Sequence, residues 1–195
     1  MFLYLHGFNS SPASFKARLL KARLQALGRA EEFAAPPLSH WPAQAIATIE
    51  RELAGRAPES VTLIGSSLGG HYATWIAERH GVRAVLVNPA VAPHALLGRS
   101  LGPQANLHTG ERYELTAKHI DELRALDVET ITRPERYMLI VAMGDEVLDS
   151  HIALEKYRHS VQIVHRGGDH GFAEFAQYLD TVIDFGALDS YIRIR

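Results

Sequence analysis

The chain has 195 residues, of which 47% are hydrophobic and 22% charged, and this composition fits one globular domain, 1–195. Its formal net charge of −2 argues against binding to nucleic acid or to an anionic membrane surface. The lack of cysteine excludes disulfides, thiolate metal sites and a cysteine nucleophile, and with no recognisable signal peptide or membrane span it predicts a cytoplasmic protein.

Apolar runs alternate with helical patterns through the first half of the chain. Each predicted strand is a short apolar run that ends at glycine, proline or a polar residue, which is typical of a sheet covered on both faces. Each predicted helix carries apolar residues at spacings of three and four. The strands are expected at 2–5, 32–35, 61–64 and 84–87, and the helices at 10–28, 42–55 and 68–81.

The same alternation returns after a long interruption at 88–136. Strands are expected at 137–142 and 161–164, and helices at 150–157 and 172–184. This order predicts an α/β fold with one mostly parallel sheet of about six strands and helices on both faces. Segment 88–136 has one clear helical pattern, at 118–126, and is too long for a simple crossover. We expect it to form a small cap over the carboxyl edge of the sheet, where such sheets bind ligands.

Residues 65–70 read Gly-Ser-Ser-Leu-Gly-Gly and match the pattern Gly-x-Ser-x-Gly. They follow a predicted strand and begin a predicted helix, which is the position of the nucleophile elbow in the α/β-hydrolase fold. Gly65 and Gly69 have no Cβ that would collide with the strand or the helix. The pattern therefore predicts Ser67 as an exposed nucleophile. The alternative, a tight or phosphate-binding glycine loop, is disfavoured by the strand and helix on either side.

A serine nucleophile needs a base, and the chain order of this fold places a histidine after the last strand. Of the eleven histidines, His170 lies in a glycine-containing loop after the last predicted strand. His165 is the nearest competitor, but it continues that strand and should lie too far from the loop. We therefore predict that His170 is the general base.

The acid that orients the histidine should follow the strand 137–142, and three carboxylates do so. Asp145 is closest to the end of the strand, which favours it as the group that orients the imidazole and stabilises its cation. Asp149 remains an alternative, although it could instead cap the helix that begins near residue 150. Glu146 is expected to be solvated, and Asp169 is too close in sequence to His170 to brace the same ring.

Two backbone amides are expected to form the oxyanion hole. One is the amide of Leu68, directly after the predicted nucleophile, and the other comes from the loop after the first strand, 6–11. Gly7 allows this loop to turn, which leaves the amide of Phe8 as the second donor. His6 is expected to be a hydrogen-bonded scaffold residue and not a catalytic one.

Several of these segments together resemble the UPF0227 family, the YqiA-type esterases with a small α/β-hydrolase fold. The matching segments span nearly the whole chain in order: Phe2 to Ser11, with Leu-Tyr-Leu-His-Gly-Phe-Asn-Ser-Ser, then 65–70 with Tyr72-Ala73-Thr74-Trp75, then 88–91, 144–149 and 167–170. The resemblance implies an esterase for acyl esters or acyl-CoA thioesters, without a metal or organic cofactor. It also implies Ser67 as nucleophile, Asp145 as acid and His170 as base. The insert at 94–115 follows the family's apolar spacing only loosely, which leaves the substrate preference open.

We therefore expect a serine hydrolase for a small acyl ester or thioester, acting through an acyl-enzyme. The alternatives are a binding or scaffold protein on a hydrolase fold, and an acyltransferase or lipid-directed hydrolase. A metal-dependent hydrolase lacks support because the sequence contains no His-Glu-x-x-His or similar ligand spacing. The sequence does not determine the oligomeric state.

Overall fold

The computed structural model describes residues 1–106 and 108–192, and a six-stranded parallel sheet lies at its centre. The strands of the described residues are β1 (Phe2–Leu5), β2 (Phe33–Ala34), β3 (Thr62–Ser66), β4 (Arg83–Val87), β5 (Gly102–Ala105), β6 (Arg112–Leu115), β7 (Tyr137–Ala142) and β8 (Val161–His165). The large sheet has the order β2-β1-β3-β4-β7-β8, whereas β5 and β6 form a separate antiparallel hairpin. The predicted α/β class and the mostly parallel sheet of about six strands are confirmed.

Helices cover both faces of the sheet. Those of the described residues are α1 (Phe15–Ala26), α2 (Pro42–Leu53), α3 (Leu68–His80), α4 (Pro93–Leu97), α5 (Ala117–Ala125), α6 (Ser150–Lys156) and α7 (Leu179–Ile192). Buried residues of α2, α3, α5 and α6 form one hydrophobic core, and those of α1 and α7 form the other. Because helices cover both faces of the sheet, the central strands carry apolar side chains on both faces.

Strand β1 shows how one short segment supplies both cores. Leu3 and Leu5 point to the face covered by α2 and α3, and Phe2 and Tyr4 point to the face covered by α1 and α7. Successive strand side chains alternate between faces, so both faces of β1 must be apolar when both are covered. All four residues are at least 98% buried.

The first helix begins later than its sequence pattern predicts. Residues 11–14 form a turn in which the amide of Ser14 donates to the carbonyl of Ser11 at 3.0 Å. The Ser11 hydroxyl accepts from the amide of Ala13 at 3.2 Å, so this serine stabilises the turn and does not cap the helix. Helix α1 therefore starts at Phe15, whose side chain is exposed.

Segment 88–136 contains more structure than its sequence pattern indicates. Besides α5, which overlaps the predicted 118–126, it forms α4 and the β5–β6 hairpin. The hairpin contacts the loop after β1: the Tyr113 hydroxyl donates to Asn9 Oδ1 at 2.9 Å, and Asn106 Nδ2 donates to the carbonyl of Ser10 at 2.8 Å. The hairpin thus lies beside the carboxyl end of the sheet.

Candidate active site

The turn that carries Ser67 connects β3 to α3 at the carboxyl edge of the sheet. Ser67 has φ 54° and ψ −120°, a backbone conformation that costs energy for any residue with a Cβ. Its amide donates to Val87 in β4 at 3.1 Å, and its carbonyl accepts from Ala90 at 3.0 Å. These two main-chain hydrogen bonds hold the strained residue against the next strand.

The glycines of this turn lie where no side chain would fit. A Cβ on Gly65 would overlap the backbone of Gly69, and a Cβ on Gly69 would overlap the carbonyl of Leu5 in β1. A Cβ on Gly70 would lie 2.6 Å from Cβ of Pro89. The helix can therefore begin directly above β3 only because these positions are glycine, and this close approach leaves the Ser67 side chain at the start of α3.

The structure brings together the three side chains predicted from the chain order. His170 Nε2 lies 3.0 Å from Ser67 Oγ, and His170 Nδ1 lies 2.8 Å from Asp145 Oδ2. His170 Nδ1–H donates a hydrogen bond to the Asp145 carboxylate, so Nε2 of the neutral ring carries no proton and is free to accept the serine proton. The three groups form one hydrogen-bonded chain, although they are separated by as many as 103 positions in the sequence.

Asp145 is held as a carboxylate within this chain. Burial of the side chain alone would raise the pKa of Asp145, but hydrogen bonds from His170 and from the amides of Leu148 and Val147 outweigh burial and lower it. Oδ1 accepts from these two amides at 2.8 and 2.9 Å, while Oδ2 faces the imidazole. A charged carboxylate in this position can stabilise the positive charge that the imidazole gains when it takes up the serine proton.

The other candidate acids and the competing histidine have different partners. Asp149 is the N-cap of α6 and accepts from the amide of His151 at 2.9 Å. Asp169 Oδ1 accepts from the amide of Phe172 at 2.8 Å within the same turn. His165 Nδ1 lies 2.8 Å from the Tyr178 hydroxyl and does not contact the serine.

Glu146 departs from the expectation that it is simply solvated. The residue is exposed, but its Oε2 accepts from the backbone amide of His170 at 3.0 Å. This contact joins the loop after β7 to the loop after β8. The sequence contains no signal for it, because it depends on how two loops meet at the sheet edge.

The two amides predicted for the oxyanion hole lie on either side of the serine. A Cβ built on Gly7 would lie 3.2 Å from Ser67 Cβ and 3.6 Å from its Oγ, so the loop after β1 passes directly beside the serine side chain. Phe8 and Leu68 line the same small cavity next to it. Among the described residues, neither amide donates a hydrogen bond to another protein group.

His6 lies behind this loop and holds it in place. The ring is 94% buried, its Nε2 accepts from the amide of Leu38 at 3.1 Å, and Nδ1 donates to the carbonyl of Gly7 at 3.0 Å. Burial lowers the pKa of His6, which keeps the ring neutral as both contacts require. The ring links the loops after β1 and β2.

Asn88 lies in a segment that carries the family resemblance, but its sequence pattern does not indicate what its side chain does. Its buried side chain accepts from the amide of Ala142 at the end of β7 at 2.8 Å. Its Nδ2 donates to the carbonyls of Asp169 and His170 at 3.2 and 3.3 Å. Asn88 has φ 41°, a left-handed conformation that asparagine tolerates better than most residues. The Asn88 side chain therefore links the end of β4 to the end of β7 and to the loop that carries His170.

The described residues contain no group of three or more histidine, aspartate or glutamate side chains that could together hold a metal ion. In the same part of the chain, no helix has the length and apolar character needed to cross a membrane.

Solved structures with a similar fold define the class. The chain superposes on α/β hydrolase domain-containing protein 10 from mouse with a TM-score of 0.72 and 18% identity, covering 94% of this chain and 89% of that one. It also matches the ydeN gene product from B. subtilis, with a TM-score of 0.64, 16% identity and 98% of each chain covered. The protein therefore has the α/β-hydrolase fold.

The sequence comparisons identify the family. Residues 1–187 match the model of UPF0227, described as an uncharacterised protein family, and the chain belongs to this family. UPF0227 proteins from Citrobacter koseri and Serratia proteamaculans are each 23% identical over 191 residues, covering 96% of this chain and 99% of the relatives. The resemblance noted from the sequence motifs is confirmed.

Proposed function

We propose that this protein is a serine-dependent carboxylic ester hydrolase with Ser67 as nucleophile, His170 as general base and Asp145 as the acid of a catalytic triad. The observation that carries this proposal is the unbroken contact from Asp145 through His170 to Ser67, at 2.8 and 3.0 Å. Distances of 2.6–3.2 Å allow direct proton transfer. The α/β-hydrolase fold and its hydrolase relatives support a hydrolase in general, and the site supports the ester mechanism.

In the first half-reaction, Ser67 Oγ attacks the ester carbonyl carbon while its proton passes to His170 Nε2. The carbonyl oxygen becomes negatively charged, and the amides of Phe8 and Leu68 donate hydrogen bonds to it. Leu68 is also the first residue of α3, so the partial positive charge of the helix N-terminus favours the same anion. The protonated His170 then gives its proton to the departing alkoxide, which leaves as the alcohol.

In the second half-reaction, water takes the place of the alcohol. His170 removes a proton from the water as its oxygen attacks the acyl carbon bound to Ser67 Oγ. The oxyanion forms again between the same two amides, and its collapse breaks the bond to Oγ. The proton on His170 returns to Ser67, and the carboxylic acid is released. Asp145 stabilises the imidazolium in both halves without becoming protonated.

The proposal extends to the substrate and to the cap. An acyl-CoA thioester would react by the same steps, with the thiol as leaving group. Segment 88–136 would act as a cap over the site within one domain, because its hairpin is hydrogen-bonded to the loop that carries Phe8. The cytoplasmic location expected from the composition stays a prediction.

A fluorophosphonate probe tests the proposal directly. We expect one covalent adduct in the intact mass of the wild type, none on Ser67→Ala, and an adduct on Ser66→Ala. Ser66 is a matched control because it is the adjacent serine but lies buried in β3. Hydrolysis of p-nitrophenyl acetate should fall by several orders of magnitude in Ser67→Ala only.

Wild-type turnover by folded Ser67→Ala would exclude the serine mechanism. A folded wild type that neither forms the adduct nor hydrolyses the acetate would favour the binding or scaffold protein instead. Transfer of the acyl group to an added alcohol in preference to water would favour the acyltransferase.

A further inference from the structure

A narrow cavity adjoins Ser67 on the side of β1. It lies between the loop after β1, the loop before α2, the first turns of α3 and the β5–β6 hairpin. The Phe8 and Leu68 segments form its inner wall, and His40, Tyr72 and Tyr113 line the remainder. A carbonyl oxygen held between the two amides would therefore lie at the edge of this cavity.

Tyr72 presents an unpartnered hydroxyl to the cavity. The residue is 98% buried and lies on α3, just over one turn after Ser67. Within the described part of the chain its hydroxyl makes no hydrogen bond, although the other three buried tyrosines, Tyr4, Tyr137 and Tyr157, each have a partner. The hydroxyl oxygen is not among the fully buried polar atoms of the described residues that lack a partner, so it is open to the cavity and can donate to or accept from a ligand atom there.

His40 adds a proton donor whose direction follows from its neighbours. The amide of Thr116 donates to His119 Nδ1 at 3.1 Å, so this nitrogen carries no proton. The neutral His119 ring then donates from Nε2 to His40 Nδ1, 3.0 Å away. A neutral His40 therefore carries its own proton on Nε2, which lies 3.8 Å from Glu111 Oε1, beyond hydrogen-bond distance.

The strand order decides which half of an ester can enter the cavity. In the sheet, β1 and β2 lie on one side of β3, while β4, β7 and β8 lie on the other side with Asp145 and His170. The leaving oxygen must lie near His170 Nε2, because this nitrogen protonates it. The alcohol half must therefore lie toward β4 and β8, and the acyl half toward the cavity beside β1.

We propose that this cavity is the acyl subsite, and that it accepts a short acyl group bearing an oxygen substituent such as a hydroxyl. The inference rests on the proposed serine mechanism and names the substrate class of that site. Tyr72 and His40 would bind the substituent, because Tyr72 can donate or accept and His40 Nε2 can donate. Glu111 could accept the proton of a hydroxyl substituent at the same end.

The size of the cavity limits the acyl chain. The centre of a water molecule can occupy only about 30 Å³ of it, and one water needs about 10–15 Å³ by the same measure. The cavity thus has room for about two or three groups the size of a methylene or hydroxyl, which is the size of a hydroxyacetyl or propionyl group.

The opposite side of the serine offers more space and a different lining. By the same measure a groove between α4 and α6 offers about 360 Å³, and Leu96, Val147 and Ile152 expose apolar side chains along it. Its wall includes Pro89, which directly precedes Ala90, the residue whose amide bonds to the Ser67 carbonyl. A long apolar alcohol therefore fits this side, and a long acyl chain does not fit the other.

Two isomeric esters test the size limit. Octyl acetate and ethyl octanoate have the same formula and differ only in which half is long. We expect kcat/KM for octyl acetate to exceed that for ethyl octanoate by at least about tenfold, because single methylenes already change selectivity by such factors in a closed pocket. Equal rates, or a preference for ethyl octanoate, would overturn the assignment of the acyl half to the cavity.

A second pair of esters tests the polar contact. Ethyl glycolate and ethyl propionate differ by a terminal hydroxyl in place of a methyl group in the acyl chain. Tyr72→Phe should lower the glycolate-to-propionate ratio of kcat/KM by about 3- to 10-fold, the usual worth of one hydrogen bond. Tyr157→Phe is the matched control, because that hydroxyl is equally buried but bonds to Thr74 away from the cavity, and its ratio should stay at the wild-type value.

The two levels of the proposal fail in different ways. An adduct on Ser67 together with a preference for long acyl chains, or with an unchanged ratio in Tyr72→Phe, would leave the hydrolase intact and overturn the subsite. Absence of both the adduct and ester hydrolysis would overturn the hydrolase and the subsite together.

Discussion

The turn that carries Ser67 and the turn that carries His170 are held in different ways. The Ser67 turn is fixed by main-chain hydrogen bonds to β4 and by glycines that allow no added atom. The His170 turn is more exposed, and side chains from other segments hold its backbone: Asn88, Glu146 and Lys16, which donates to the carbonyl of Gly171 at 2.6 Å.

The difference separates two kinds of sensitivity. Larger side chains in the Ser67 turn should lower the free energy of unfolding, because α3 would have to move away from the strands beneath it. Changes around the His170 turn should leave the fold in place and alter how well the imidazole is aimed at Ser67. Four predictions test this division, from the largest expected effect to the smallest.

The largest effect is expected for the acid that orients His170. Asp145→Asn replaces the acceptor of the Nδ1 proton with an amide and favours the wrong tautomer of the imidazole, so kcat should fall by about 10³–10⁴. Asp149→Asn is the matched control, because asparagine caps helices as well as aspartate does, and its kcat should remain near the wild-type value. The measurement is steady-state hydrolysis of p-nitrophenyl acetate by both variants. The reverse order of effects would assign the role to Asp149.

A methyl group in the Ser67 turn should destabilise the protein. Gly69→Ala places a Cβ against the Leu5 carbonyl of β1, and the resulting overpacking should lower the free energy of unfolding by about 2–4 kcal/mol. Gly171→Ala makes the same change beside His170, where only the Asp169 side chain lies near the added Cβ, at 3.1 Å. It should cost less than about 1 kcal/mol. Urea unfolding of the two variants measures the difference, and equal losses would contradict the proposed division.

Acid should lower the stability of the protein through a buried histidine of α3. Burial, together with the charges of Lys156 and His94, lowers the pKa of His71 on α3 to about 4, despite the Leu123 carbonyl and Asp127 nearby. The unfolded chain binds this proton near pH 6.5 and the folded chain only near pH 4, so stability falls as the pH drops between these values.

The full contribution of His71 is up to about 3 kcal/mol, from about 1.4 kcal/mol per pKa unit. Unfolding free energies measured from pH 7.5 to pH 4 in wild type and in His71→Gln should differ in slope, with the flatter curve for the variant. Parallel curves would show that His71 does not carry this dependence.

The smallest effect is expected for the positioning of His170 by Asn88. Asn88→Asp keeps the acceptor for the Ala142 amide but replaces the donor to the Asp169 and His170 carbonyls, so the turn should shift and kcat fall by about 10- to 100-fold. KM should change little, because Asn88 acts on the imidazole and not on the substrate.

Gln162→Glu provides the matched control for Asn88→Asp. Its amide donates to the carbonyls of Leu154 and Tyr157, at 2.8 and 3.0 Å, away from the site. This variant should retain kcat even if it loses comparable stability. A wild-type kcat in Asn88→Asp would show that Asn88 does not position His170 and that the remaining contacts of the turn, including those of Glu146 and Lys16, are sufficient.

The sequence by itself determined the parts of this protein that depend on short-range patterns. Strand 137–142 could be located to the residue because a strand buried on both faces must be apolar throughout. The position of Ser67 followed from the glycines of a strand-to-helix turn, and the order of serine, acid and histidine restricted the choice of Asp145 and His170 to a few residues.

Only the tertiary structure decided the parts that depend on distant segments meeting. Asn88 and Glu146 contact the His170 turn because β4, β7 and β8 end side by side, and no local pattern records that arrangement. The hairpin of β5 and β6 is too short and too polar to show in its own sequence, since it forms against the loop after β1. A short sequence pattern indicates which side chains a segment buries, whereas the cavity beside Ser67 forms where four separate segments of the chain meet.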